Sequence, residues 1–71
     1  MDRNMLPRHL AIAERHVALG ETHLARQEAL IARLDRHGHD TTDALALLAT
    51  MRHSQSLHLK DRDRLLRELA H

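Results

Sequence analysis

The chain has 71 residues, with 11 Lys and Arg against 10 Asp and Glu, and it contains no Cys, Phe, Tyr or Trp. This composition excludes disulfides and thiolate metal sites, and it removes aromatic stacking as a means of holding single-stranded nucleic acid. The balanced, interspersed charges also argue against nucleic acid as a partner, because small nucleic-acid binders usually carry a one-sided basic patch.

The length of the chain favours self-association. A chain this short buries little surface, so we expect one domain, residues 1–71, that forms a homodimer or a higher homo-oligomer. No apolar run approaches the roughly 20 residues of a membrane span, and the N-terminus lacks a signal-peptide core. These features predict a cytoplasmic protein without a membrane partner. The eight His residues are the unusual feature of the composition.

The segment from Leu10 to His37 can be written as four consecutive sevens, LAIAERH, VALGETH, LARQEAL and IARLDRH. Each seven begins with an aliphatic residue followed by Ala, each has an acid in fifth place, and three end in His. A seven-residue repeat of this kind predicts a long helix with one face that packs against other helices.

Two interpretations of the repeat place different residues in the core. A two-stranded coiled-coil seam would combine two rows of residues. The first row is wholly aliphatic and comprises Leu10, Val17, Leu24 and Ile31. The second row packs poorly because it contains small and polar residues, and it comprises Ala13, Gly20, Gln27 and Leu34. A rotation of about 100° per residue favours instead a broad apolar arc with two ridges. The ridges are Leu6, Leu10, Val17, Leu24 and Ile31, and Met5, Ile12, Leu19, Leu30 and Leu34. Such an arc is too wide for one neighbour, so at least two neighbouring helices are predicted.

The helix boundaries follow from a few special residues. Pro7 is tolerated only in a first helical turn, Gly38 suits the left-handed position after a helix, and Asp40 or Thr41 can cap a second helix. The expected elements are a helix over about 5–37, a turn over 38–41 and a helix over about 41–70. The predicted fold class is all-α, an antiparallel helical hairpin of two long helices that assembles into a dimeric four-helix bundle.

Polar residues are predicted in the middle of both packing faces. With the turn centred near residue 39, facing residues have numbers that sum to about 78. The expected neighbours are His23 and Gln55, Gly20 and His58, and His16 and Arg62. The predicted buried polar row comprises His16, Gly20, His23, Gln27, Gln55, His58 and Arg62. This row is interpreted first as a hydrogen-bonded layer that fixes helix register, and second as a ligand site.

A ligand site in this row would hold a metal or an anion. A metal would need His16 or His23 together with His58, completed by a second chain, because no carboxylate is predicted on either buried face. An anion would be held by Arg62 and the His residues. Because the packing interpretation is favoured, neither a cofactor nor a metal ligand is predicted.

No catalytic residues are predicted, since the sequence offers no nucleophile with a neighbouring base and no Gly-rich phosphate loop. The expected function is that of a non-enzymatic protein that self-associates and acts as a protein–protein interaction or regulatory module. The alternatives are a His-lined metal- or anion-binding helical bundle and a nucleic-acid-binding accessory protein.

The run from Leu10 to Ala70, with its segments HVALGETHLARQ and GHDTTDALALL, resembles small α-helical hairpin proteins of soil bacteria. The resemblance covers most of the chain and implies a hairpin fold. It implies no activity, because none is assigned to that group.

Overall fold

Two long antiparallel helices make up the fold. The computed structural model describes residues 3–71, so Met1 and Asp2 of the predicted domain lie outside the described residues. A 3-10 turn over Arg3–Met5 leads into helix α1, Leu6–Arg36, and helix α2 is Thr42–Leu69. The helices pack side by side in a rod of 52 × 15 × 14 Å. The prediction of an all-helical hairpin is thereby confirmed, and each helix is a residue or so shorter than expected.

Helix α1 ends in a Schellman motif built on Gly38. The φ angle of Gly38 is +71°, in the left-handed region that a residue without Cβ adopts at little cost. The His39 N–H donates to the Leu34 carbonyl at 2.9 Å, and the Gly38 N–H donates to the Asp35 carbonyl at 3.1 Å. These bonds satisfy carbonyls that the end of the helix leaves free and turn the chain back towards α1.

Helix α2 begins with a side-chain cap from Asp40. Its Oδ1 accepts hydrogen bonds from the Thr42 N–H at 2.9 Å and from the Thr42 hydroxyl at 2.7 Å. These bonds, from the hydroxyl first and the N–H second, lower the pKa of the Asp40 carboxyl from its ordinary value of 3.8. A carboxylate at this position also suits the positive end of the helix dipole.

Because folding lowers the pKa of Asp40, its carboxylate should stabilise the hairpin above the ordinary pKa, and this contribution should be lost as pH falls through the lowered pKa. We expect Asp40→Ala to lower the melting temperature at neutral pH, and Asp40→Asn to recover only part of that loss, because an amide oxygen can accept the same bonds but carries no charge. Melts followed by circular dichroism from about pH 6 to about pH 3 should show the deficit of the Ala variant shrinking. A deficit that is independent of pH would contradict the role of the charge.

The core lies at the open end of the hairpin, where Leu6, Ala13 and Leu65 are buried and Leu10 and Leu69 pack against them. On α1, the buried residues Leu6, Ala13 and Gln27 belong to one row that repeats every seven. This second coiled-coil row, which includes Gly20 and Gln27 of the predicted polar row, is therefore part of the seam. Its small residues are matched by larger ones on α2, since Leu65 packs against Ala13.

The broad arc predicted on α1 is only partly covered. One ridge faces α2, whereas Met5, Ile12 and Leu19 of the other remain exposed. A single partner helix covers only a narrow stripe of its neighbour, as the width of the arc implied. Neither helix of the described residues is long and apolar enough to cross a membrane.

The register between the helices differs from the expected one. The pairs in contact are His16 and His58, Val17 and Gln55, Gly20 and Gln55, and Gln27 and Ala44. Their numbers sum to between 71 and 75, not to 78. Helix α1 therefore extends past the start of α2 by about one turn, and residues 37–41 run back along it. The direct contacts are therefore offset by about one helical turn from the expected pairing, although the expected pairs His23 and Gln55, and Gly20 and His58, still line one surface depression.

Candidate functional site

A groove runs along one side of the seam between the helices. Its middle part, a depression of about 190 Å³, is lined by Gly20, His23, Thr50, Met51, Ser54, Gln55 and His58. Towards the open end follows a second depression of about 160 Å³, lined by His9, Ile12, Ala13, His16, Asp61, Arg64 and Leu65. The rings of His16 and His58 meet between the two, with centroids 5.1 Å apart. We call this continuous surface the His groove.

Gln55 forms the floor of the His groove. Only 6% of the residue is exposed, and its Nε2 donates a hydrogen bond to the Val17 carbonyl at 2.9 Å. Because that carbonyl can only accept, the bond fixes the orientation of the amide. Oε1 then points at Gly20, where a Cβ would overlap it, and no donor from residues 3–71 reaches this buried oxygen.

Gln27 holds the helices together nearer the turn. It is buried, and its Nε2 donates to the Ala44 carbonyl at 2.9 Å. Each helix thus contributes one Gln that bonds to the backbone of the other. A shift of one residue would break both bonds and leave buried amides without partners, which costs about 1–3 kcal/mol for each group. The two amides therefore fix the register.

The seven residues of the predicted polar row differ in burial. Gln27 and Gln55 are buried; Gly20, His58 and Arg62 are half-buried; and His16 and His23 are exposed. The expectation of a wholly buried row is therefore wrong for the hairpin alone. The cause is geometric, because the row of His residues on α1 lies on the flank of the seam rather than at its centre.

The structure also changes the neighbours within the row. His16 meets His58 instead of Arg62, and Gln55 lies against Gly20. The half-buried Arg62 binds Asp63 at 3.1 Å and does not line either depression of the groove. The predicted anion pocket, which needed Arg62 among the His residues, is not formed in the described hairpin.

Asp61 is a groove residue that the sequence analysis missed. Its carboxylate lines the second depression and accepts a hydrogen bond from Arg64 at 2.8 Å. Asp61 and then Glu68 raise the pKa of the Arg64 guanidinium, so the cation is stabilised at this end of the groove. The spacing of seven between Ser54, Asp61 and Glu68 is the signal that could have placed Asp61 on the groove flank.

Ile12 lines the His groove, and the spacing of seven indicates that four more large apolar side chains border it. Met5 and Leu19 lie seven residues to either side of Ile12. On α2, Leu47 is seven residues before the lining residue Ser54, and Leu57 is seven after Thr50. All five are exposed, whereas only two other large apolar residues of the described chain, Leu45 and Leu66, are exposed elsewhere. The apolar surface is thus concentrated on one face.

The two sides of the seam differ in charge. On the side away from the groove, α1 carries an acidic residue every seven positions, namely Glu14, Glu21, Glu28 and Asp35. On the groove side, the corresponding positions hold His9, His16, His23 and Leu30. The groove side of α1 therefore combines apolar residues with imidazoles and carries no carboxylate in these rows.

The imidazoles of one chain do not complete a metal site. Among residues 3–71, no three His, Asp or Glu side chains come close enough together to hold a metal ion. His16 and His58 supply two neighbouring rings, and His23 lies two turns further along α1.

Comparison of the chain with protein-family models, with curated proteins and with solved structures finds no match. The resemblance to bacterial hairpin proteins therefore stays a prediction, and function has to be argued from the groove itself.

Proposed function

We propose that the hairpin self-associates through the His groove into a dimeric four-helix bundle and acts in this form as a non-enzymatic protein–protein interaction module. The observation that supports the proposal is the surface left exposed by one hairpin. The accessible area is 5346 Å², whereas a compact monomer of 8.2 kDa exposes about 4,500 Å². The excess of about 800 Å² is close to the area that each partner buries in a standard interface.

The shape of the hairpin supports the same conclusion. Its radius of gyration is 16.2 Å, whereas a compact chain of this length has about 11 Å. Within residues 3–71, only five apolar residues are buried, Leu6, Ala13, Val17, Leu48 and Leu65. Two rods packed along the His groove would cover the five apolar residues that border it, and a core of four helices would replace a core of two.

Charge favours one arrangement of the two copies. His16 on α1 and His58 on α2 lie at the same height along the rod. An α1 residue and an α2 residue at equal height therefore have numbers that sum to about 74. Asp61 is then level with residue 13 and Glu68 with residue 6. The basic residues Arg26 and Arg33, which continue the row of Ile12 and Leu19, lie at the other end of the groove. The open half of the groove thus carries two carboxylates and Arg64, which binds both of them, whereas the other half carries Arg26 and Arg33 in the row of Ile12 and Leu19.

A two-fold axis across the middle of the rod joins the unlike halves. The midpoint of the two helices along the rod lies near Gly20. An axis through this point places an α1 residue of one copy at the same height along the rod as an α1 residue of the other copy when their two residue numbers sum to about 40. The partner's Arg26 then lies level with Asp61, and the partner's Arg33 lies level with Glu68, each within about one residue. In a parallel arrangement each charge would lie level with its own copy. We therefore propose an antiparallel dimer with turns at opposite ends.

The proposal is tested by sedimentation of the chain in the presence of a chelator at micromolar concentration, where a dimer is expected. Leu19 is 50% exposed and lies next to the proposed axis, so Leu19→Glu would place two carboxylates together in the interface. We expect this change to weaken the dimer at least about 100-fold, because juxtaposed like charges cost several kcal/mol.

The matched control is Ala18→Glu, which adds the same charge at an exposed position on the outer face of α1. It should leave the dimer intact, and both variants should keep the helical circular dichroism signal. A wild-type chain that sediments as a folded monomer, or a Leu19→Glu variant that dimerises as tightly as wild type, would show that the groove does not bind a second copy.

A further inference from the structure

The contact between His16 and His58 has a separation that suits two ligands of one metal ion. Their ring centroids are 5.1 Å apart and the ring planes are tilted by 57°. Two imidazole nitrogens on one tetrahedral ion are about 3.3 Å apart, which corresponds to ring centroids roughly 5–6 Å apart. The spacing of the two rings therefore matches that of two ligands on one ion.

A third ligand is missing from the single chain. No group of three His, Asp or Glu side chains in residues 3–71 is close enough to hold a metal, and the nearby carboxylate of Asp61 is engaged by Arg64. Two imidazoles alone make a weak site, because protein zinc sites use at least three side chains. A site at this position is therefore incomplete without a second copy.

The antiparallel dimer supplies the third imidazole. Because the proposed two-fold axis passes near Gly20, the partner's His23 lies at the same height along the rod as residue 17. This position is within about one residue of His16. Both positions belong to the row that ends the heptads, so both side chains lie on the groove flank of α1. In this arrangement the two α1 helices face each other across the interface, which brings His16 opposite the partner's His23.

We propose that His16 and His58 of one chain and the partner's His23 bind a divalent transition metal such as Zn²⁺, with two equivalent sites in each dimer. This inference rests on the proposed antiparallel dimer. Three neutral imidazoles suit zinc, copper, nickel or iron, whereas magnesium and calcium prefer oxygen ligands. The fourth coordination position is left to water or to a group from outside the dimer.

The orphaned oxygen of Gln55 supports a ligand at this place. Gln55 lies in the same depression as His23 and His58, and its buried Oε1 receives no hydrogen bond from residues 3–71. A metal-bound imidazole keeps one N–H, which in known sites almost always donates to an acceptor of the second shell. Gln55 Oε1 is an acceptor without a donor, and Gln55 shares its depression with two of the proposed ligands, His23 and His58.

The first experiment titrates Zn²⁺ into chelator-stripped protein by calorimetry and follows Co²⁺ binding by visible absorption. One ion per chain is expected. His16→Gln, His23→Gln and His58→Gln should each weaken binding by about tenfold or more, since even second-shell changes cost that much. His53→Gln, at an exposed position of α2 outside the groove, should bind as wild type does. Wild-type affinity in the His23→Gln variant would overturn the proposal.

The second experiment tests whether the site is shared between chains. One variant carries His23→Gln, and the other carries both His16→Gln and His58→Gln. Neither homodimer contains a complete site, whereas the mixed dimer contains one, formed by His16 and His58 of the first chain and His23 of the second. Co²⁺ absorption should appear on mixing and after exchange of subunits. No gain on mixing would overturn the proposal.

The outcomes separate this inference from the proposed function. A dimer in chelator that binds no Zn²⁺ overturns the metal site and leaves the dimer standing. A monomer in chelator overturns the dimer, and the shared site falls with it. His16 and His23 are exposed in the hairpin, so their Gln variants should fold, which circular dichroism will check.

Discussion

Replacing Leu65 with Ala should strongly destabilise the hairpin. Leu65 is 1% exposed and packs against Leu6 and Ala13 in the main buried cluster. Truncation of a buried Leu to Ala costs about 2–5 kcal/mol, and a 71-residue domain has roughly 4–11 kcal/mol of stability in total. We expect the melting temperature of the variant to fall by roughly 10–30 °C at a fixed chain concentration.

The neighbouring residue provides the control for this prediction. Leu66 is 45% exposed and lies on the side of the seam away from the His groove, so Leu66→Ala should change stability by no more than about 0.5 kcal/mol. Thermal melts of both variants, followed by circular dichroism at equal concentration, make the comparison. Equal losses at the two positions would mean that the buried cluster does not dominate the stability of the hairpin.

The elements of the fold could be predicted because their signals are local. Gly38 follows the last residue of a long periodic segment, and a left-handed Gly at that place has one common structural role. The five residues between the helices are too few to let the second helix run anywhere but back along the first. Helix existence, direction and approximate bounds therefore followed from residues that are close in sequence.

The register could not be predicted, because it depends on contacts between distant residues. A Schellman turn directs the chain back along α1 before α2 begins. The length of this setback, which is the distance along α1 between its end and the start of α2, cannot be predicted from any single residue. The setback moves every pairing by about one turn, which replaced the expected pair of His16 and Arg62 with His16 and His58. The composition of the groove changed with it, and Asp61 entered.

The contacts of the row Ala13, Gly20 and Gln27 could not be predicted for a related reason. Ala13, Gly20 and Gln27 look like a poor seam when α1 is considered alone, because two are small and one is polar. Whether these residues pack well depends on the residues of α2 that face them. Gly20 leaves the space that Gln55 occupies, and Gln27 reaches a carbonyl of α2. Packing complementarity of this kind cannot be read from one helix.

Gly20 provides the sharpest test of this complementarity, because two effects of opposite sign meet there. In a helix interior, Gly is less favourable than Ala by about 1 kcal/mol, so Gly20→Ala should stabilise the helix by itself. However, the new Cβ would overlap Gln55 Oε1. The amide would have to leave the Val17 carbonyl, and a buried polar group without its hydrogen bond costs about 1–3 kcal/mol.

We therefore expect Gly20→Ala to destabilise the wild-type chain by about 1–2 kcal/mol, the cost of displacing a buried amide exceeding the gain in helix propensity. In a Gln55→Ala background the obstacle is absent, so the same substitution should stabilise the chain by about 1 kcal/mol. A double-mutant cycle in urea, at one chain concentration and with chelator present, measures the coupling, which should be about 2–3 kcal/mol. The change of sign between the two backgrounds is the decisive result. A Gly20→Ala variant that is stabilised equally in both would mean that the Gln55 side chain does not occupy the space above Gly20, and that another contact fixes the register.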